Sequence, residues 1–422
     1  MSGRLLVKGG EVLTPAGLVR ADVRIEAGRV VAMGDLAPEP GETVIAAGGC
    51  WVGPGLVDLH VHFREPGQEW KEDVATGSAA AAAGGFTAVH AMPNTVPPID
   101  CGRVARLVHD RGRAVGLVDV TAVGAITEGR AGLRPAAYGE LWAEGVRMFS
   151  DDGDGVADEA LLRRAMREIA RLGGVLSEHA EDRRLTAGGH LHEGSISAQL
   201  GLQGLPAAGE EGMVARDLAL VRQTGCRYHV QHVSTAGTVQ LVRRAKEEGL
   251  PVTAEATPHH LTFDHRELLS LDPDFKMYPP LRTPEDVAAV REALASGVID
   301  AVATDHAPHS AEESALSFEQ APRGVIGLET AVGAVLEALR PDPATLFDRM
   351  SVRPARIGGT PDHGRPVAPG NPAHLVVIDP TAEWVVERFA SRSVNSPWKG
   401  RRMRGRVIAT IHAGVPTHRV DR

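Results

Sequence analysis

Residues Gly53–Glu65 read GPGLVDLHVHFRE. The first seven, GPGLVDL, are a short apolar run opened by Gly and Pro, the pattern of a buried strand. Residues i, i+2 and i+4 of a strand point the same way, so His60, His62 and Arg64 project from one face or cluster at its end. Two imidazoles aimed together suit a divalent metal, and a guanidinium beside them suits a carboxylate. Taken alone, the HxH pair fits equally well two histidines satisfied in a polar loop beside a surface arginine. The rest of the chain decides between them.

Beyond this stretch, apolar runs alternate with segments of helical spacing. The expected strands are GLVDLHVH, FTAVHAM, AVGLVDVTAV, GVRMFS, GGVLSEHA, YHVQHV, PVTAEAT and IDAVATDH. Segments such as DEALLRRAMREIARLG and TAGTVQLVRRAKEEG lie between them with charged outer faces, and GSAAAAAGG reads as an alanine-rich helix. Eight strands with intervening helices over roughly 250–280 residues are the pattern of an α/β protein built as a (β/α)8 TIM-type barrel. A doubly wound open sheet is the competing assignment. The placement of polar residues favours the barrel.

In a barrel, side chains at the C-terminal strand ends converge on one site. The first end supplies His60 and His62, the second Asn94, and the fourth Asp151 and Asp152. The fifth supplies His179, the sixth His229 and His232, the seventh His259 and His260, and the eighth Asp305, His306 and His309. The third, TAVGAIT, offers no ligand. One histidine at a strand end is ordinary, but metal-capable residues at most of the ends are hard to ascribe to chance. Four histidines and two aspartates match two zinc-type cations bridged by a carboxylate. The residues alone do not choose between Asp151 and Asp152, or between His229 and His232. His259 and His260 read as supporting or packing residues, and His306, next to Asp305, as structural.

The 422 residues are 43% apolar and 23% charged, ordinary for a globular protein with room for a barrel and a smaller unit. A formal charge of −9 without any basic block argues against a nucleic-acid binder. Cys50, Cys101 and Cys226 form neither a CxxC motif nor a disulfide framework, which points to a cytoplasmic setting. No secretory h-region and no apolar run of about 20 residues is present, so no membrane association is expected. Strand-like alternation in RLLVKGGEVLT, ADVRIEAGRVVAMG and ETVIAAGGCWV returns in AHLVVIDP, EWVVE and RVIATIHAGV. The expected organisation is a small β-sandwich-like domain built from residues 1–52 and 361–422 around a barrel of residues 53–360.

In order, DLHVHFREPG, AMPNT, FSDDG, EHAED, HVST, TPHHL, TDHAPH and GLET resemble the successive signatures of class I (bacterial-type) dihydroorotases of the amidohydrolase superfamily. The resemblance covers most of the chain. It implies a zinc-dependent hydrolase interconverting N-carbamoyl-L-aspartate and (S)-dihydroorotate in pyrimidine biosynthesis. It further implies two Zn2+ per chain, with His60 and His62 on the first, His179 and His232 on the second, and Asp152 bridging. Asp305 would be both ligand and general base, taking the proton of a metal-bridging hydroxide that attacks the ring amide. Arg64 and Asn94 would hold the substrate carboxylate, with His309, Arg323 and Gly324 also at the ring. A homodimer is implied and, as in some relatives, association with aspartate transcarbamoylase.

Many relatives, hydantoinases among them, bridge their metals with a carboxylated lysine from the fourth strand. The five lysines here are Lys8, Lys71, Lys246, Lys276 and Lys399, so none is available there. The chain departs from the family pattern at KMYPPLR, where Tyr278 stands in the place of an Asn that contacts the pyrimidine ring. Either Tyr278 meets the substrate in a shifted pose or the contact is lost, which would alter affinity or specificity; the plain alternative is a neutral replacement. Ala180 and Arg323 are smaller departures. The alternatives are therefore a related cyclic-amide hydrolase of different specificity, or a partner-dependent subunit. After His309, SAEESALSFEQ fits either a mobile lid or a βα loop with a short helix.

Overall fold

A computed structural model describes residues 4–420. Leu56–Val61 and Phe86–Ala91 are buried along their whole lengths, as parallel strands covered on both faces must be. With Asp119–Ala122 they form one parallel arc. Met148–Phe149, Val175–Glu178, Arg227–Val230, Val252–Ala256 and Ala301–Val302 form a second. Bridges between Gly124 and Phe149 and between Val61 and His306 join the arcs at both seams. The ring is closed: this is the eight-stranded barrel and not an open sheet. All eight expected strands are present, in order.

Asp58 laces the closing seam. Its carboxylate accepts the amides of His60 (3.0 Å) and Thr304 (3.1 Å), tying the first strand to the eighth. Burial pushes this carboxyl up to about 7. The helix Glu159–Leu172 shows why the outer layer forms where it does. Asp158 caps it by accepting the Leu161 amide (2.9 Å), and Leu162, Ala165, Met166 and Ile169 make its buried face. Gly173, at φ +80°, ends it with a left-handed turn that a β-carbon would disfavour.

The two ends of the chain meet in one eight-stranded sheet. Leu5–Thr14 pairs with Gly17–Glu26 and Thr43–Ala46, and also with Trp51–Pro54, which pairs in turn with Leu375–Val385. Arg402–His412 and Val415–Arg419 extend that side. The sheet has its own apolar core, including Leu5, Val23, Ile25, Val52, Val377 and Ile411. LVVIDP and EWVVE, expected as separate runs, belong to the single strand Leu375–Val385, with a break in register between Asp379 and Glu383. The loop after His309 carries the short helix Ala311–Ser314, capped by Ser310 and tied down by a Glu313–Lys71 ion pair (2.8 Å). Among the described residues no helix is long and apolar enough to cross a membrane.

Candidate metal centre and substrate cavity

At the C-terminal mouth of the barrel, the carboxylate of Asp152 sits among four imidazoles. Its Oδ1 lies 3.2 Å from His60 Nε2, 3.6 Å from His179 Nδ1 and 3.6 Å from His232 Nε2. Its Oδ2 lies 3.4 Å from His62 Nε2. Asp305 Oδ1 is 3.0 Å from His62 Nε2 and 3.4 Å from His60 Nε2, and His179 Nδ1 faces His232 Nε2 at 2.9 Å. Atoms bound about 2.0–2.1 Å from a tetrahedral ion sit roughly 3.3–3.4 Å apart, so this spacing is what a metal centre requires. His60 Nε2 and Asp152 Oδ1 are buried yet have no hydrogen-bond partner among the described residues. His60, His62 and Asp305 can close around one ion, and His60, Asp152 and His232 around another. The donor set fits a metal.

Neighbouring side chains settle which member of each ambiguous pair faces this centre. The Asp151 carboxylate accepts the amides of Ile126 (2.8 Å) and Thr127 (3.0 Å) and the Thr127 hydroxyl. It is occupied by the end of the third strand, and Asp152 is left to face the histidines. His229 bonds Thr253 through Nδ1 (2.8 Å) and Glu255 through Nε2 (2.9 Å), while His232 turns inward. Glu255 also accepts from His60 Nδ1 (2.9 Å), which directs His60 Nε2 at the centre. Burial pushes the Glu255 carboxyl up, but His229 and His60 outweigh it and hold it near about 2. Sequence reasoning missed Glu255; an acid inside the apolar run PVTAEAT was the available signal. Asn94 Oδ1 does for His62 Nδ1 (2.8 Å) what Glu255 does for His60.

The other candidates lie outside the cavity. His260 is held by Thr257 (2.8 Å) and the Pro279 carbonyl (3.0 Å), and burial lowers His259 to about 4. His306 Nδ1 accepts the Gly327 amide (3.2 Å) and its Nε2 faces Glu72 (3.3 Å).

Above the centre is a cavity of about 160 Å³ whose lining includes Arg64, Asn94, Tyr278, His309, Arg323 and Gly324. All six residues expected at the substrate are thus brought together, while His60 and His232 lie out of its wall. Arg64 is only 8% exposed; its Nε donates to the Pro308 carbonyl (3.3 Å), and no carboxylate among the described residues pairs with it. Burial lowers the guanidinium to about 10, so it stays charged at neutral pH. His309 Nε2 donates to the Arg323 carbonyl (2.9 Å), leaving a buried Nδ1 without a hydrogen-bond partner among the described residues. Burial, and then the Arg64 charge, lower this imidazole to about 3, so it is neutral. The Tyr278 ring contacts the tilted His179 ring (4.6 Å) and the Arg323 guanidinium (4.5 Å). Burial would raise the Asp152 and Asp305 carboxyls, but the surrounding imidazoles, His60 foremost, hold both well below the usual range. Arg64, His232 and Asp305 have φ of +60°, +29° and +48°, left-handed backbone held in place at the site.

The geometry finds its counterparts among known proteins. A family model described as "Dihydro-orotase-like" matches residues 49–238. A dihydroorotase of Anaeromyxobacter dehalogenans (strain 2CP-1 / ATCC BAA-258) is 48% identical over 432 aligned positions, covering 100% of this chain and 99% of that protein. Another, of Mycobacterium leprae (strain TN), is 49% identical over 375 positions, 87% of each chain. Among solved structures, an L-hydantoinase (dihydropyrimidinase) from Arthrobacter aurescens superposes with a TM-score of 0.86 at 26% identity, covering 98% of this chain and 96% of that one. With full-length identity near one half and the barrel and its additional sheet in common, the chain belongs to the dihydroorotase family of cyclic-amide hydrolases.

Proposed function

We propose that this protein is a zinc-dependent dihydroorotase that interconverts N-carbamoyl-L-aspartate and (S)-dihydroorotate in pyrimidine biosynthesis. The observation that carries the substrate assignment is Arg64: a buried guanidinium without a carboxylate partner among the described residues, facing a cavity beside four histidines and two aspartates. A buried charge left unpaired is costly, so this one calls for an anionic ligand. Both dihydroorotate and carbamoyl-aspartate bring a carboxylate, whereas a simple hydantoin ring does not.

Two zinc ions would be held by His60 and His62, by His179 and His232, with Asp152 between the pairs and Asp305 beside the first. Bound there, they supply Lewis acidity and activate water towards a poor amide electrophile. The chain's own residues do the rest. Arg64 grips the substrate carboxylate as a fork, and Asn94 adds its amide nitrogen, its oxygen being engaged by His62. His309 Nδ1 accepts a ring N–H, and the Gly324 backbone borders the same ring. Asp305 turns Oδ1 towards His62 and His60, so Oδ2 takes the proton of the attacking water. It returns that proton to the ring nitrogen as the C–N bond breaks. Ring closure runs the same steps backwards and releases water. Tyr278 and Arg323 wall the ring off from solvent.

The proposal includes a homodimer and contact with aspartate transcarbamoylase, both tested by light scattering with and without that enzyme. Tyr278 motivates one alternative, a cyclic-amide hydrolase for a different ring. The deciding experiment follows loss of dihydroorotate, hydantoin and dihydrouracil with zinc-loaded protein. Turnover of dihydroorotate alone, abolished by chelation and restored by zinc, is the expected result. Turnover of the uncharged rings without dihydroorotate would overturn the assignment.

A further inference from the structure

A second group of metal-capable side chains lies at the other end of the barrel. Asp119 opens the third strand at its N-terminal end, His363 follows the helix Arg353–Gly358, His374 precedes Leu375–Val385, and His412 closes Arg402–His412. Ligand atoms of Asp119, His363 and His374 all lie within 4.8 Å of one another. His363 Nε2 is 2.7 Å from Asp119 Oδ2, and His412 Nε2 is 3.3 Å from Asp119 Oδ1. The rings of His363 and His374 are 4.1 Å apart, and those of His374 and His412 4.9 Å.

We propose that Asp119, His363 and His374 form a divalent-metal site of the zinc class, separate from the catalytic centre, with His412 as a fourth donor. Three observations carry it. His412 Nε2 is buried and points at Asp119 Oδ1, from which it lies 3.3 Å, too poorly aligned for a well-formed hydrogen bond. His363 Nδ1 is engaged by Thr87 Oγ1 (3.0 Å), an outer partner that orients Nε2 inward as ligating histidines are oriented. Three imidazoles and one carboxylate converge on one point, a donor set of the kind that holds such ions. Imidazole and carboxylate donors suit Zn2+ and its neighbours rather than Ca2+ or Mg2+. A cleft of about 360 Å³ bordered by Asp119 and His363 provides entry. Binding requires one adjustment. His374 Nδ1 accepts a long bond from the exposed Ala413 amide (3.3 Å), and coordination through either nitrogen releases it to water.

Such an ion ties the barrel to two adjacent strands of the terminal sheet, so its role is structural. The test compares zinc per chain, by mass spectrometry, in wild type and a His363→Gln/His374→Gln variant after desalting in metal-free buffer. The variant is expected to hold one ion fewer, with unchanged dihydroorotate turnover, and to show a smaller zinc-dependent rise in Tm than the wild type. Equal metal content and equal Tm response overturn the site. Should the double variant fail to fold, Asp119→Asn decides by the same two readouts. Cobalt loading gives an independent check: the visible absorption per chain falls in the variant if the site exists and is unchanged if it does not.

Discussion

Glu255 holds two histidines at once, its Oε1 2.9 Å from His60 Nδ1 and its Oε2 2.9 Å from His229 Nε2. One buried carboxylate therefore joins an imidazole that faces the metal centre to one that does not. Glu255→Gln keeps the shape and removes the charge. It is expected to weaken metal binding or activity about 10- to 100-fold, the usual cost of losing such an outer partner. Competition against a chromophoric chelator measures this, with circular dichroism to show that the fold survives. Unchanged affinity would reduce Glu255 to a packing residue.

Arg64→Lys retains the charge but loses the planar fork. The loss of one of the fork's two charge-assisted hydrogen bonds, about 1.5–3 kcal/mol, is expected to raise KM for dihydroorotate by roughly one to two orders of magnitude, with a smaller effect on kcat. Steady-state kinetics reads the split. A KM equal to that of the wild type would remove Arg64 from the substrate site.

The Tyr278 ring lies against His179 and Arg323, and on the proposed reading it acts through that ring. Tyr278→Phe is expected to leave kcat/KM within about threefold, less than the worth of one neutral hydrogen bond. Tyr278→Ala strips the aromatic face from Arg323, a contact worth about 0.5–2 kcal/mol, and lowers kcat/KM further. Equal damage from both variants would instead place the hydroxyl on the substrate.

His192 gives a stability test away from the centre. Its Nδ1 accepts from Arg282 Nη1 (3.2 Å), and burial together with that guanidinium lowers the imidazole to about 4. An unfolded histidine titrates near 6.5. Between about 6.5 and about 4 the unfolded chain binds a proton that the folded chain refuses, so this group makes stability fall as pH falls and has no effect above the window. Urea unfolding across that range is expected to show a shallower pH dependence in His192→Gln, by up to one proton. An unchanged slope would mean that His192 already charges in the folded protein.

The barrel was legible because parallel strands buried on both faces leave near-continuous apolar runs, each ending in polar residues. Val175–Glu178 into His179 and Val252–Ala256 into His259 show the pattern plainly. The hairpin inside RVIATIHAGV was less so. Its turn depends on Ala413 and Gly414 at φ +48° and +79°, and an alanine does not announce a left-handed conformation. Glu255 and Asp58 escaped notice for a related reason. A lone acid in an apolar strand declares itself only when its distant partner, His60 or Thr304, is known.

The sequence by itself determined the eight-strand order, the polar residues at the strand ends, and the lack of any lysine in the fourth strand to compete with an aspartate. These are properties of local pattern and composition, and they need no partner. The residues alone left Asp151 against Asp152 and His229 against His232 open; the family resemblance pointed to Asp152 and His232, and only the tertiary structure supplies the physical reason. Those choices turn on the Thr127 amide and hydroxyl, Thr253 and Glu255, which arrive from other strands and engage one neighbour before the other. The second cluster lies further still from what a linear pattern can carry, because Asp119 and His363 are 244 positions apart and meet only where the barrel docks on the terminal sheet.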